Sequence, residues 1–194
     1  MSRLSLLLAA GLALIAVPAW AHTGAGPTSG LLAGLGHPLG GLDHVLAMVA
    51  IGILAAQQGG RSLWLIPLAF LAMLAVGGAM GAYGVPLPLV ETGIVGSVIV
   101  LGMVVAVGRH MSLAASMALA GVFAVFHGHA HGTEMPVPSG LDYAAGFMLA
   151  TAALHAAGAG LGIGVRRLAA TAAPYAVRLM GGAIAVGGVM LATA

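Results

Sequence analysis

Six stretches of about 20 apolar residues follow one another along this chain, at 38–57, 63–83, 88–108, 112–131, 141–163 and 174–193. Each has the length an α-helix needs to cross about 30 Å of hydrocarbon. Gly59-Gly60-Arg61, Gly84 to Pro88, Gly108-Arg109-His110, Thr133 to Gly140 and Arg166 to Pro174 punctuate them. Composition agrees: 61% of residues are hydrophobic, 5% are charged, and the mean hydropathy is +1.12. Soluble domains carry about 25% charged residues. The 32 glycines suit helices that pack closely where no hydrophobic effect drives them together. The fold class expected is therefore all-α, a polytopic membrane bundle of six transmembrane helices.

The first 21 residues, MSRLSLLLAAGLALIAVPAWA, place one arginine before an apolar core and end on Ala19-Trp20-Ala21. That is the pattern of a cleavable secretory signal. The expected organisation is a signal peptide over 1–21 and one six-helix transmembrane domain over 22–194, with the mature chain beginning at His22. Arginine sets the orientation. Arg61, Arg109 and Arg166-Arg167 follow the first, third and fifth runs, and Arg178 opens the sixth, so all lie on one side. By the positive-inside rule that side is cytoplasmic. A cleaved signal independently puts the mature N-terminus outside, and the two arguments agree. The expected location is therefore a membrane that the chain crosses repeatedly, with the mature N-terminus on its outer side.

This topology collects the acidic residues and most histidines at the outer end. His37, Asp43 and His44 open the first helix, Glu91 the third and Asp142 the fifth. His127, His129, His131 and Glu134 close the fourth, and His155 sits deeper in the fifth. An ionisable group within a span costs at least a few kcal/mol and is a functional-site hypothesis by default. With no cysteine, thiolate sites and disulfides are excluded. Imidazole with carboxylate suits nickel, zinc or cobalt. A weak net charge of +2 excludes a nucleic-acid surface. No GxxxxGK[ST] loop is present to hold a nucleotide.

Two segments carry this chemistry. In HPLGGLDH, Pro38 suits the first helical position, with His37 near the N-cap. His37, Gly41, His44 and Met48 then form one stripe, and Asp43 points about 100° away. Asp43 reaches the same site only through a neighbouring helix, or if Gly40-Gly41 loosens the turn. FHGHAHGTE has two readings. As a helix it aligns His127, His131 and Glu134 and turns His129 away; as an extended segment it aligns the three histidines. The apolar run behind it favours the helix. His37, Asp43, His44, His127, His131 and Glu134 form the expected metal set, because six costly residues at one end exceed what packing requires. His22, Met48, Glu91, His129, Asp142 and His155 are secondary candidates as ligands or pathway residues. For His155 a packing role is the stronger reading, and for Met48 likewise.

At these positions the chain resembles the HupE/UreJ family of small nickel permeases. HPLGGLDH fits HxxxxxDH in a first transmembrane helix, and FHGHAHGTE fits FHGxxHGxE in a fourth. The resemblance covers essentially the whole mature chain, and His129 falls on a variable position. It implies a role in maturation of nickel enzymes, hydrogenase and urease. The implied activity is facilitated diffusion of Ni²⁺, with Co²⁺ as a related ion, into the cytoplasm. The implied site is the six residues of the two motifs. On this reading the protein is no enzyme and holds no permanent cofactor. Its partners are the metal ion and the bilayer, and a homo-oligomer is compatible with the sequence.

Two rival classes use the same residues. A membrane-embedded metal hydrolase would take a bound water as nucleophile and a spare carboxylate as base. A metal-buffering accessory subunit would dock beside a metalloenzyme, although loops this short offer it little surface. The two three-helix halves would have opposite topology, as in inverted-repeat transporters, without evident sequence similarity between them.

Overall fold

The computed structural model describes residues 30–135, 140–168 and 171–194. The expected signal segment 1–21 and His22 lie outside the described residues. Among those described, every regular element is helical. They are α1 (Gly30–Gly36), α2 (Leu42–Gln58), α3 (Ser62–Ala82), α4 (Val90–Val107), α5 (Leu113–Thr133), α6 (Gly140–Leu168) and α7 (Ala173–Thr193), with a 3-10 turn at His37–Leu39 between α1 and α2. Helices α3 to α7 are each long and apolar enough to cross a membrane, and α1 with α2 make a sixth span if the bent pair counts as one. The expected helix bundle is what the chain forms.

The first span differs from expectation in shape. It is bent by 82° between His37–Leu39 and Leu42. The Gly40 amide closes the 3-10 turn on the His37 carbonyl at 3.0 Å, and Gly41 is extended at φ −103°, ψ 114°. Pro38 has no amide to continue a helix through, and two glycines offer no side-chain contacts to hold one straight. So His37 and His44 are not on one continuous helical stripe, and Pro38 sits in the 3-10 turn instead of opening α2.

Helix α2 is the axis of the molecule. Every residue from Ala47 to Ala56 except Val49 is buried, and α3, α4, α6 and α7 all pack against it. A helix apolar on all sides is one that proteins surround. The closest pairings are α3 with α5, α4 with α7, and α2 with α6. Each is made by glycine facing backbone. Gly128 lies against the Leu74 carbonyl and Gly77 against that of Val125, Gly102 meets Gly181 and Ala185, and Gly52 and Gly158 abut the carbonyls of His155 and Val49. A β-carbon at any of these would overlap main-chain atoms, so the backbones approach as small residues alone permit.

The two ends differ in chemistry. At one, the Gln57 amide donates to the Val105 carbonyl (3.1 Å), and Gln58 donates to the Arg109 carbonyl while accepting from the Met111 amide (3.2 and 3.0 Å). Arg166, Arg178 and Gln57 line one cavity of about 390 Å³ there. The histidine- and carboxylate-bearing segments meet at the other.

Candidate metal centre

Helix α5 presents its motif on two adjoining faces. His127 and His131 are one turn apart, as are Gly128 and Gly132, and successive residues are offset by about 100°. The glycines press on Leu74 and Gly78 of α3, which leaves the two histidines aimed at the space beside α2. The helix runs unbroken to Thr133, so the extended reading of this segment is set aside.

At the mouth, three groups converge. His37 Nε2 lies 2.9 Å from His131 Nδ1 and 3.2 Å from Glu134 Oε2. His131 Nδ1 is 3.8 Å from the same oxygen. One ligand atom from each falls within 4.8 Å of the other two. Glu134 is the C-cap of α5, immediately past the span. The bend at Gly40-Gly41 is what turns His37 toward these residues. His37 Nε2 has at most one proton to share between His131 Nδ1 and Glu134 Oε2. The set therefore offers more lone pairs than protons, which is what a cation accepts. The His131 imidazole, by hydrogen bond and then by charge, holds the Glu134 carboxyl below its ordinary value against the opposing effect of partial burial, and His37 adds to this.

Below the mouth, His44 is 1% exposed, with its ring centroid 5.0 Å from that of His131 and 5.2 Å from that of His127. Its Nε2 is 3.3 Å from Thr151 Oγ1 on α6, and its Nδ1 has no hydrogen-bond partner. His127 is fully buried, its Nε2 2.8 Å from Ser97 Oγ on α4. Ser97 donates its own proton to the Ile94 carbonyl at 2.6 Å, so it accepts from His127 Nε2–H. That fixes the His127 tautomer and leaves the lone pair on Nδ1, which has no hydrogen-bond partner. An orienting bond on the far nitrogen is the usual support of a metal-ligating histidine.

The other candidates stand apart. Asp43 Oδ1 accepts from the His44 amide at 2.6 Å in the first turn of α2, and its carboxylate is not in the mouth cluster. Carboxylates suit that position because the helix N-terminus carries partial positive charge. His129 Nε2 donates to the Val85 carbonyl at 2.8 Å, tying α5 to the α3–α4 loop. Glu91 and Asp142 are exposed in the first turns of α4 and α6. Met48 lies fully buried one turn below His44, and His155 is 2% exposed within α6. Reading the sequence did not single out Ser97, Thr151 or Tyr143. Tyr143 stacks edge-on to His37 at 5.5 Å, with its hydroxyl buried and without a hydrogen-bond partner. A hydroxyl inside an apolar run is the one signal they carry.

Comparison with known proteins gives a consistent result. The family described as HupE / UreJ protein matches residues 10–191. Protein HupE of Rhizobium leguminosarum bv. viciae is 43% identical over 183 residues, covering 93% of this chain and 94% of its own length. No solved structure matches.

Proposed function

This chain belongs to the HupE/UreJ family, and from that membership we propose that it carries Ni²⁺, with Co²⁺ as a related ion, into the cytoplasm by facilitated diffusion. The supporting observation is the convergence of His37, His131 and Glu134 at one mouth of the bundle. Imidazoles and a carboxylate there replace part of the ion's hydration shell, and the carboxylate offsets its charge. Asp43 belongs to the proposed set as a carboxylate near the entrance, one residue from His44. Conduction requires binding weak enough to release the ion, and nitrogen and oxygen donors without thiolate meet that need. The histidine end faces the periplasm and the arginine end the cytoplasm of a bacterial inner membrane. The ion is cargo, with neither a resident cofactor nor a hydrolytic reaction.

The test is ⁶³Ni²⁺ uptake into cells lacking other nickel importers. Intact protein should restore uptake, and His37→Ala and His131→Ala, at equal membrane abundance, should abolish it. Abundant intact protein that moves no nickel would refute the reading, and equal uptake by the variants would refute the site.

A further inference from the structure

Helices α6 and α7 make little contact with each other, because each packs chiefly on another partner, α6 on α2 and α7 on α4. Glycine draws those two pairs tight. The seam left between them holds, at the arginine end, the cavity of about 390 Å³. Ile53 of α2 and Val177 of α7, both buried, give it an apolar wall. Arg166 of α6, Arg178 of α7 and Gln57 of α2 line the rest of it.

Among the described residues no arginine forms an ion pair. All four acidic residues of the chain, Asp43, Glu91, Glu134 and Asp142, belong to the opposite end. Orientation in the membrane asks for arginine on this side, but Arg61 and Arg167 serve that need as well, and neither lines the cavity. Two unpaired guanidinium groups at one cavity are therefore more than topology requires. Gln57 adds an open valence. Its Nε2 donates to the Val105 carbonyl, while its Oε1 is buried without a hydrogen-bond partner. A buried acceptor left so costs free energy that a ligand's hydroxyl would recover.

The bilayer itself supplies a matching occupant. Arg178 stands beside exposed Leu179 and three residues after exposed Tyr175. A spanning helix turns such residues to lipid, with tyrosine favoured at the headgroup level. An acidic peptide would match the charge but not the apolar wall, whereas a phospholipid matches both. We propose that this cavity binds the headgroup of an anionic phospholipid, with its phosphate on Arg166 and Arg178 and a glycerol hydroxyl on Gln57 Oε1. Arginine takes phosphate through paired N–H donors, and basic pockets between spans are where such headgroups lodge. The lipid fills the seam and holds the two helix pairs together. The proposal stands on the fold and its charges, independently of the transport reading.

The experiment uses the purified full chain in a neutral detergent. It reads the melting temperature and the retention of ³²P-labelled phosphatidylglycerol, with phosphatidylcholine and inorganic phosphate as the other probes. The intact protein is compared with Arg166→Gln/Arg178→Gln and with Arg61→Gln/Arg167→Gln, which loses the same charge away from the cavity. Phosphatidylglycerol should raise the melting temperature by several degrees, and the other two probes should not. The cavity pair should retain about tenfold less labelled lipid, and the control pair as much as the intact protein. Retention is counted per folded, monodisperse protein, so a less stable variant still gives an answer, and Arg166→Lys/Arg178→Lys should recover part of it. Equal losses in the two glutamine pairs overturn the proposal, because the lipid would then read net charge alone. An equal rise with phosphatidylcholine overturns it as a general effect of lipid. An equal rise with inorganic phosphate overturns the lipid as occupant, because the arginines would then hold a free anion.

Discussion

Ser97 lies outside the expected metal set, yet it decides which nitrogen of His127 is free. Its hydroxyl is committed to the Ile94 carbonyl and so can only accept from His127. Ser97→Ala should therefore lower nickel affinity about 10- to 100-fold, the usual effect of losing an orienting partner. It should also leave a buried N–H unpaired, at about 1–3 kcal/mol of stability. Isothermal titration and thermal melts on one preparation check both. Glu134→Gln keeps the shape and removes the charge. Because Glu134 is mostly exposed, solvent screens the effect, and a loss of about tenfold in nickel affinity is expected. The depressed carboxyl also sets the pH response. What Glu134 contributes is present above the ordinary carboxylate value and is lost only as pH falls through its lowered one. Between pH 7.5 and 5.5 it therefore stays ionised, so a loss of uptake over that interval comes from other ligands, for which protons compete with the metal. Uptake should fall as external pH drops across that interval, in the intact protein and in Glu134→Gln alike. A flat ⁶³Ni²⁺ uptake profile would contradict histidine ligation.

Among the helices, α5 shows how much was legible in advance. Spacings of four and three residues put His127, His131 and Glu134 on one face and turned His129 away, and the structure has them so. What spacing could not reveal is the role of the interleaved glycines, because the Leu74 and Gly78 carbonyls they meet belong to another helix. Gly128→Val would drive a side chain into that carbonyl, and overpacking of this kind costs about 1–3 kcal/mol. The expected outcome is a lowered melting temperature together with weakened nickel binding, since any shift of α5 carries both histidines with it. Helix α2 shows the opposite case. An unbroken period across HPLGGLDH was the simplest reading, and Gly40-Gly41 were the only warning against it. Pro38 and Gly40-Gly41 allow the 82° bend, but that it brings His37 beside His131 and Glu134 is a relation between helices, and no local pattern carries that. Ser97 and Thr151 were unread for the same reason. A hydroxyl in an apolar run does not disclose which helix it faces.

Taken whole, the bundle separates its chemistry by end, and hydropathy with the arginine placement made that division legible before any coordinates. The chain contains no cysteine, so single introduced thiols report sidedness against no background. Thr92→Cys, beside Glu91 in the exposed first turn of α4, should react with an impermeant maleimide added to spheroplasts. Thr171→Cys, exposed between α6 and α7, should react only after the membrane is opened. The reverse pattern would invert the proposed direction of transport.

The adjoining faces of α5 bear on how such a chain can change length. Deleting one residue between Leu113 and Phe126 turns everything upstream by about 100° relative to the motif. If the upstream turns kept their contacts, His129 and Thr133 would swing onto the glycine face against α3, where a β-carbon does not fit, and His127 and His131 would turn out of the space beside α2. If the motif held its place instead, the earlier contacts of α5 would be lost. Neither half of the helix can absorb the slip. Insertions and deletions should therefore survive in the connections between spans, while α5 keeps one length wherever this fold is used.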